Sequence, residues 1–330
     1  MPDAILVTGG AGYIGSHACK ALAGAGYLPV AYDNLSRGHR ELVRWGPLEE
    51  GDLADGRRLA EVLRAHRPAA VLHFAAFIAV GESVREPLLY YRNNVGGALS
   101  LLRAMEETGV GTIVFSSTAA VYGDPERVPL TEEDPRRPVN PYGRGKRLIE
   151  ELLEDQAAAR GLRYASLRYF NAAGADPDGE TGERHDPETH LIPLVLRAAQ
   201  RRGAPLTLFG DDYDTPDGTC IRDYIHVSDL AQAHVLAVRS LLAGRPSGAF
   251  NLGSGEGYSV REVIEACRRV TGEAIPVTVG PRREGDPPRL VADPSRARQQ
   301  LGWRPALSDL DTIVRTAWTW CKREAGDARS

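Results

Sequence analysis

The sequence predicts an α/β protein built on a doubly wound parallel sheet, with a second, smaller α/β domain. Three observations carry that expectation. Short runs that are apolar on both faces alternate with helical patterns through the first half, as expected of βαβ units whose sheet is covered on both sides. The first run opens directly into a turn with glycines at 9, 12 and 15. The alternation stops near residue 171, where a stretch rich in Gly, Asp, Glu and Pro begins.

The elements follow in order. Residues 4–8, 28–32, 70–74, 112–116 and 164–168 are rich in Val, Ile, Leu and Ala and read as buried strands. Residues 14–25, 56–65, 95–107 and 142–159 between them read as helices. Residues 174–190 and 210–219 read as long loops, which in a compact protein are usually functional. Helical patterns return at 191–201, 228–242, 260–271 and 307–321. The expected division is a nucleotide-binding domain over 1–171, with a returning segment within 223–252, and a substrate domain over 172–330, with a cleft between them.

Composition narrows the function classes. The 330 residues carry 40 Lys and Arg against 44 Asp and Glu, a net charge of −4, with 42% hydrophobic and 25% charged residues. These are globular proportions, not those of a disordered or fibrous chain. Mild acidity argues against a nucleic-acid partner, because phosphate backbones recruit basic surfaces. The longest nearly apolar run, 69–80, is interrupted by His73 and falls short of the ~20 residues a membrane helix needs. Met1-Pro2-Asp3 leads straight into a strand pattern, without a basic segment or cleavage site. The four cysteines, at 19, 220, 267 and 321, form no Cys-x-x-Cys pair. The expectation is reduced thiols, no metal and a cytoplasmic location.

Gly9, Gly12 and Gly15 follow a strand and open a helix. Such a turn must be tight, let backbone approach a pyrophosphate, and pack helix on strand. The free N–H groups of the helix N-terminus then receive the phosphate charge. This context marks a Rossmann-type dinucleotide site. Asp33, eighteen positions beyond Gly15 at the end of the second strand, is placed to accept from the ribose hydroxyls and to repel a 2′-phosphate, favouring NAD over NADP.

Tyr142 and Lys146, after Pro141, are spaced to share one helix face. A free phenol, with a pKa near ~10, is a poor base at neutral pH. A neighbouring ammonium favours the phenolate, so the expectation is a Tyr142 pKa lowered by Lys146. The fourth strand pattern ends in Ser116-Ser117-Thr118, where strand ends line the ligand crevice. Thr118 there serves either as a partner to a substrate hydroxyl or as a turn cap.

These residues resemble the extended short-chain dehydrogenases/reductases, and more closely the UDP-glucose 4-epimerase family, over nearly the whole chain. The similarity runs through Val7–Thr8-Gly9-Gly10-Ala11-Gly12-Tyr13-Ile14-Gly15, Asp33-Asn34-Leu35, Gly51-Asp52-Leu53, His73-Phe74-Ala75-Ala76, Asn93-Asn94, Ser116-Ser117-Thr118, Pro141-Tyr142-Gly143 and Arg168-Tyr169-Phe170-Asn171. Val80-Gly81-Glu82-Ser83, the 217–226 segment and Arg282-Arg283-Glu284-Gly285-Asp286 point to the epimerase branch. The resemblance implies that Gly9, Gly12, Tyr13, Ile14 and Gly15 bind the NAD pyrophosphate. Asp33 and Asn34 would hold the ribose, with Asp52 and Leu53 bordering the adenine. Phe74, Ala75, Ala76, Asn93, Ser116, Lys146 and Tyr169 would line the rest. Tyr142 would be the base, Lys146 its electrostatic support, and Thr118 the hydroxyl beside the sugar. Asn171, His190, Leu191, Phe209, Arg222, Arg283, Asp286 and Leu290 would hold the UDP-sugar, the arginines suiting diphosphate oxygens.

The implied activity is NAD-dependent 4-epimerisation of a UDP-sugar, UDP-galactose to UDP-glucose, through a 4-keto intermediate in a homodimer paired near 95–107 and 142–159. UDP-pentose (UDP-arabinose or UDP-xylose) and UDP-N-acetylhexosamine epimerases share the chemistry. A catalytically silent NAD-binding sensor is a further reading. A 4,6-dehydratase is disfavoured, because Ala119 and Ala120 leave no carboxylate after Thr118. The chain departs from its resemblance at Thr189-His190-Leu191, where many relatives carry Asn-Asn-Leu. Ile78 stands where some carry lysine, and Leu290 where sugar size is gated.

Overall fold

The computed structural model describes residues 2–200, 205–283 and 286–327. Its main sheet has seven parallel strands, in the spatial order Gly248–Leu252, Arg163–Tyr169, Thr112–Ser116, Ala70–His73, Ala4–Thr8, Leu28–Asp33 and Leu48–Glu50. Strand order reverses between Ala4–Thr8 and Ala70–His73, so a crevice opens beyond the carboxyl ends of these strands. The fold is the doubly wound one that the sequence predicts.

The central strands feed two cores, which is why both of their faces are apolar. Ile5 and Val7 point to one side with Leu72, Val114 and Leu167, packed against Ala18 and Leu22 of helix Tyr13–Gly24 and Leu230 and Val238 of helix Val227–Leu242. Leu6 points to the other side with Val71, Ile113 and Phe115. There it meets Leu59 of Gly56–His66, Leu101 of Gly97–Thr108 and Ile149 of Pro141–Arg160. A third core joins Ile192 and Val195 of helix Leu191–Ala199, Val263 and Cys267 of helix Val260–Thr271, and Ile313 and Val314 of helix Leu310–Asp327. Against it lies the parallel strand pair Leu206–Phe209 and Val277–Gly280.

Several elements differ from the sequence expectation for physical reasons. Strand Leu48–Glu50 is short and acidic, yet it forms because Arg58 and His66 pair with Glu49, and Arg40 with Glu50. The last helix begins at Leu310 rather than 307, because the Asp229 carboxylate accepts from the backbone N–H of Ala306 and Leu307 and from the Ser308 hydroxyl. Residues 80–90 fold into two short helices, Val80–Arg85 and Pro87–Tyr90, that no sequence pattern announces. A wide turn, Tyr91–Gly96, then precedes helix Gly97–Thr108. Residues 174–190 hold no helix or strand, as expected, and Arg201 of the expected helix 191–201 lies outside the described residues. Among the described residues, no helix is long and apolar enough to cross a membrane.

Candidate active site

The glycine turn is built for close backbone approach. Gly9 has φ +74°, and its N–H donates to the Tyr32 carbonyl at 2.9 Å. A Cβ on Gly9 would sit 2.7 Å from the Ala75 nitrogen, and one on Gly15 would sit 2.1 Å from the Gly9 oxygen. Gly12 caps helix Tyr13–Gly24 without a side-chain hydrogen bond, and the first turn holds no acid. Its N–H groups therefore suit an anionic ligand, which fits a dinucleotide pyrophosphate. Tyr13 and Ile14 offer only backbone there. The Tyr13 hydroxyl donates to the Gly174 carbonyl at 2.6 Å, and Ile14 packs into the core.

Asp33 ends its strand with both carboxylate oxygens engaged: Oδ2 accepts from Ala11 N at 3.0 Å and Oδ1 from Leu35 N at 2.9 Å. Burial raises its pKa, and these two N–H groups work against the rise. Asn34 Nδ2 donates to Asp52 Oδ2 at 2.7 Å, so the two residues assigned to ribose and adenine stand side by side. Leu53 packs against the second core. The Phe74 and Ala75 nitrogens donate to the Thr8 carbonyl at 2.9 and 3.1 Å, which carries the segment leading to Ala76 past the turn. Ser116 Oγ and the Tyr169 hydroxyl are 2.6 Å apart, and Asn93 Nδ2 donates to Asn94 Oδ1 at 2.9 Å.

Tyr142 owes its place to a helix start. Asn140 accepts from Gly143 N at 2.8 Å and Pro141 occupies the first turn, an arrangement that fixes where the helix begins. Lys146 follows one turn later on the same face. The Thr118 hydroxyl lies close enough to the Tyr142 phenol to favour its ionised form, and both residues are 9% exposed. Thr118 Oγ1 also accepts from Ala120 N at 3.2 Å, which is the cap the sequence offered as one of its two readings.

The electrostatics correct one expectation. The Tyr142 pKa is raised, not lowered: burial pushes it up first, the neighbouring Tyr169 phenol adds to this, and the Thr118 hydroxyl opposes it only in part. Lys146 Nζ donates to the Ser116 carbonyl at 2.8 Å and lies 5.9 Å from the Tyr142 ring centroid. Its own burial lowers its pKa to about 7, against a contribution from Glu150 in the other direction. In the protein alone, desolvation dominates the Tyr142 shift.

The residues expected to hold substrate fall into two groups. Arg222 pairs with Asp286, and Leu290 lies opposite Arg222 in a parallel strand pair, against Tyr122 and Phe170. Asn171 Nδ2 donates to the Asp223 carbonyl at 3.0 Å. The Arg283 guanidinium stacks 4.3 Å above the Phe209 ring; Glu284 and Gly285 lie outside the described residues. His190 caps helix Leu191–Ala199 elsewhere, with Nδ1 2.7 Å from Glu183 and 3.1 Å from Glu188. Desolvation lowers its pKa, but the two carboxylates reverse this and raise it to about 10.

Residues 5–253 match the model of the NAD dependent epimerase/dehydratase family. The chain belongs to this family. It is 55% identical to a UDP-glucose 4-epimerase of Rhizobium leguminosarum bv. trifolii, over 96% of this chain and 97% of that one. A crystal structure of UDP-glucose 4-epimerase from Brucella ovis in complex with NAD superposes with TM-score 0.94 at 56% identity, covering 96% of this chain and 98% of that one. The Stenotrophomonas maltophila UDP-glucose-4-epimerase, with bound NAD and formylated UDP-arabinopyranose, gives TM-score 0.96 at 41% identity, covering 98% and 99%.

Three residues that sequence reasoning did not single out tie the elements of the site together. Ser83 Oγ accepts from Tyr142 N at 3.3 Å and donates to Val80 O at 2.6 Å, tying the short helix to the start of the Tyr142 helix. Asn94 accepts from Phe77 N and donates to Phe77 O, clamping the segment after Ala76. Glu150, 1% exposed, accepts from Arg168, Arg136 and Ser117, anchoring the Lys146 helix to the sheet. Ser83 and Asn94 were visible only as members of the quoted motifs. Glu150, two positions before Leu152 in a polar helix pattern, carried no signal.

Proposed function

We propose that this chain catalyses NAD-dependent 4-epimerisation of a UDP-sugar, interconverting UDP-galactose and UDP-glucose. The observation that carries the reading is the buried Tyr142–Thr118 hydroxyl pair beside Lys146, next to a turn that fits a dinucleotide. The family match and the near-full-length similarity to UDP-glucose 4-epimerases support it.

NAD, when bound, would supply a reversible hydride acceptor for C4 of the sugar. Gly9, Gly12 and Gly15 hold its pyrophosphate through backbone N–H groups, and Asp33 holds the adenosine ribose. Phe74, Ala75, Ala76, Asn93, Ser116 and Tyr169 line its remaining surface. Tyr142 takes the 4-hydroxyl proton as C4 is oxidised to the ketone, and returns it after the sugar has presented its other face. Thr118 orients that hydroxyl. Lys146 keeps positive charge beside the phenolate. Arg222 and Arg283 hold the diphosphate, with Asp286 releasing Arg222 to it. Asn171, Leu191, Phe209 and Leu290 enclose the remainder. Remote binding of the nucleotide keeps the 4-keto sugar captive while it turns.

A homodimer is part of the proposal. Leu88 is 81% exposed, and Val84, Leu99 and Leu148 stand out on the same group of helices. Such an apolar face suits a second copy of the chain. The cytoplasm, where thiols persist reduced, is the proposed location for a chain whose buried Cys19, Cys220 and Cys267 form no disulfide. The test is an NMR assay of purified protein on UDP-galactose without added cofactor. UDP-glucose formation is expected; no product with or without added NAD overturns the reading.

A further inference from the structure

We infer that the 183–190 loop is a binding site for a divalent transition-metal ion of the zinc class. Glu183, His185, Glu188 and His190 each offer one ligand atom, and the four atoms lie within 4.8 Å of one another. His185 Nδ1 is 3.0 Å from Glu183 and 3.8 Å from Glu188; His190 Nδ1 is 2.7 and 3.1 Å from the same two carboxylates. In a tetrahedral zinc site with bonds of about 2.0–2.1 Å, neighbouring ligand atoms are ~3.3–3.4 Å apart. The observed separations bracket that edge length.

Charge points the same way. The Glu183 and Glu188 side chains are 7% and 2% exposed. Among the described residues, their only ion-pair partners are the two imidazoles. An ion there would take the place of the proton that the two carboxylates hold on His190, and nitrogen with carboxylate oxygen suits zinc better than the all-oxygen shells of magnesium or calcium. The neighbouring cluster of Asp176, Asp178 and Glu180 makes the contrast, because there Lys20 already supplies the cation.

The site would be structural. The protein fills all four positions, leaving none open for substrate or water. A second layer surrounds it: the Tyr13 ring meets His185 edge-on at 6.2 Å, and Trp320 Nε1 donates to the Glu183 carbonyl at 3.0 Å. One ion would therefore join the helix after the glycine turn, the C-terminal helix and the start of helix Leu191–Ala199. The spacing Glu-x-His-x-x-Glu-x-His went unread in the sequence because cysteines alone were weighed as metal ligands. The inference is independent of the proposed reaction.

The test uses the full chain, stripped of metal by a chelator and dialysed. Zinc titration by calorimetry is expected to give one ion per chain and a raised Tm. His185→Ala and Glu188→Gln, checked for folding by circular dichroism, are expected to bind zinc about 100-fold or more weakly. No stoichiometric zinc uptake by the wild type, or undiminished uptake by both folded variants, overturns the proposal. Where a variant fails to fold, cobalt substitution of the wild type decides. Intense visible bands of a tetrahedral site support the proposal, and a weak octahedral spectrum overturns it.

Discussion

Lys146 Nζ donates to the Ser116 carbonyl at 2.8 Å, so the ammonium beside Tyr142 is held by the end of a strand rather than by the phenol. That strand end also carries Ser117 and Thr118, and Ser117 Oγ donates to Glu150 at 2.5 Å. One short segment therefore gathers Lys146, Glu150 and Thr118, the residues the proposed mechanism places around Tyr142. For Tyr142 to act as the proposed base, charge must come from more than Lys146, since burial raises the phenol's pKa in the protein alone.

The first prediction follows from that deficit. Tyr142→Phe removes one buried hydroxyl and should lower kcat by ~10²–10⁴, the range for loss of a general base, with NAD still bound. Spectrophotometric titration, with the variant as blank, should show the phenol ionising at lower pH in the NAD-bound protein than in the stripped protein. A kcat within a few-fold of wild type removes Tyr142 from its role. Equal phenol pKa values in the two forms remove the electrostatic argument.

Lys146 has a stability cost that depends on pH. Its folded pKa, about 7, lies below the ordinary 10.5 because of burial. Between these values the unfolded chain binds the extra proton, so stability rises with pH across that window. Below pH 7 the cost is fully present. Lys146→Met should therefore be more stable than the wild type by most at pH 6, with the advantage shrinking toward pH 10, offset throughout by ~1 kcal/mol for the orphaned Ser116 carbonyl. Denaturant midpoints of the NAD-free proteins measure this, and a difference that does not change with pH rejects it. Turnover should fall in the same variant.

The glycine turn offers a paired test. Gly15→Ala places a methyl 2.1 Å from the Gly9 oxygen, a contact backbone cannot accommodate without moving. The turn should open, and the protein should purify without NAD and with reduced Tm. Gly24→Ala, in the last turn of the same helix, meets nothing within 4 Å and should stabilise by up to ~1 kcal/mol. NAD retained at wild-type occupancy by Gly15→Ala would show that the turn tolerates what its geometry forbids.

The sheet was legible because its central strands bury both faces: Ile5 and Leu6 enter different cores, and Ile5-Leu6-Val7, Ala70-Val71-Leu72 and Ile113-Val114-Phe115 are uninterrupted apolar runs. Leu48–Glu50 was not legible, because its acids are neutralised by Arg40, Arg58 and His66 from other elements. Tyr142 and Lys146 were legible as a spacing, since a helix alone brings four-apart residues together. The sign of the Tyr142 shift was not, since it depends on how much protein covers the ring. His190 shows a similar limit. Its place before Leu191 suggests a diphosphate contact, while its carboxylate partners come from a loop with no periodic pattern to fold in advance.

Acid should unfold this protein through its buried histidines. Burial lowers the pKa of His73 to about 3 and those of His17, His226 and His234 to about 4. The His17 and His234 Nε2 atoms are buried without a hydrogen-bond partner, so protonating them in place gains nothing to offset desolvation. With folded values below the unfolded 6.5, the unfolded chain takes up protons first as pH falls. Their contribution is therefore complete above pH 6.5 and lost progressively between 6.5 and about 4. Up to four protons are linked to unfolding, a slope of at most ~5 kcal/mol per pH unit. Urea midpoints should fall steeply from pH 6.5 to 5, and His234→Gln should reduce the linked uptake by about one proton. A midpoint constant across that interval would mean that these imidazoles already carry their protons in the folded state.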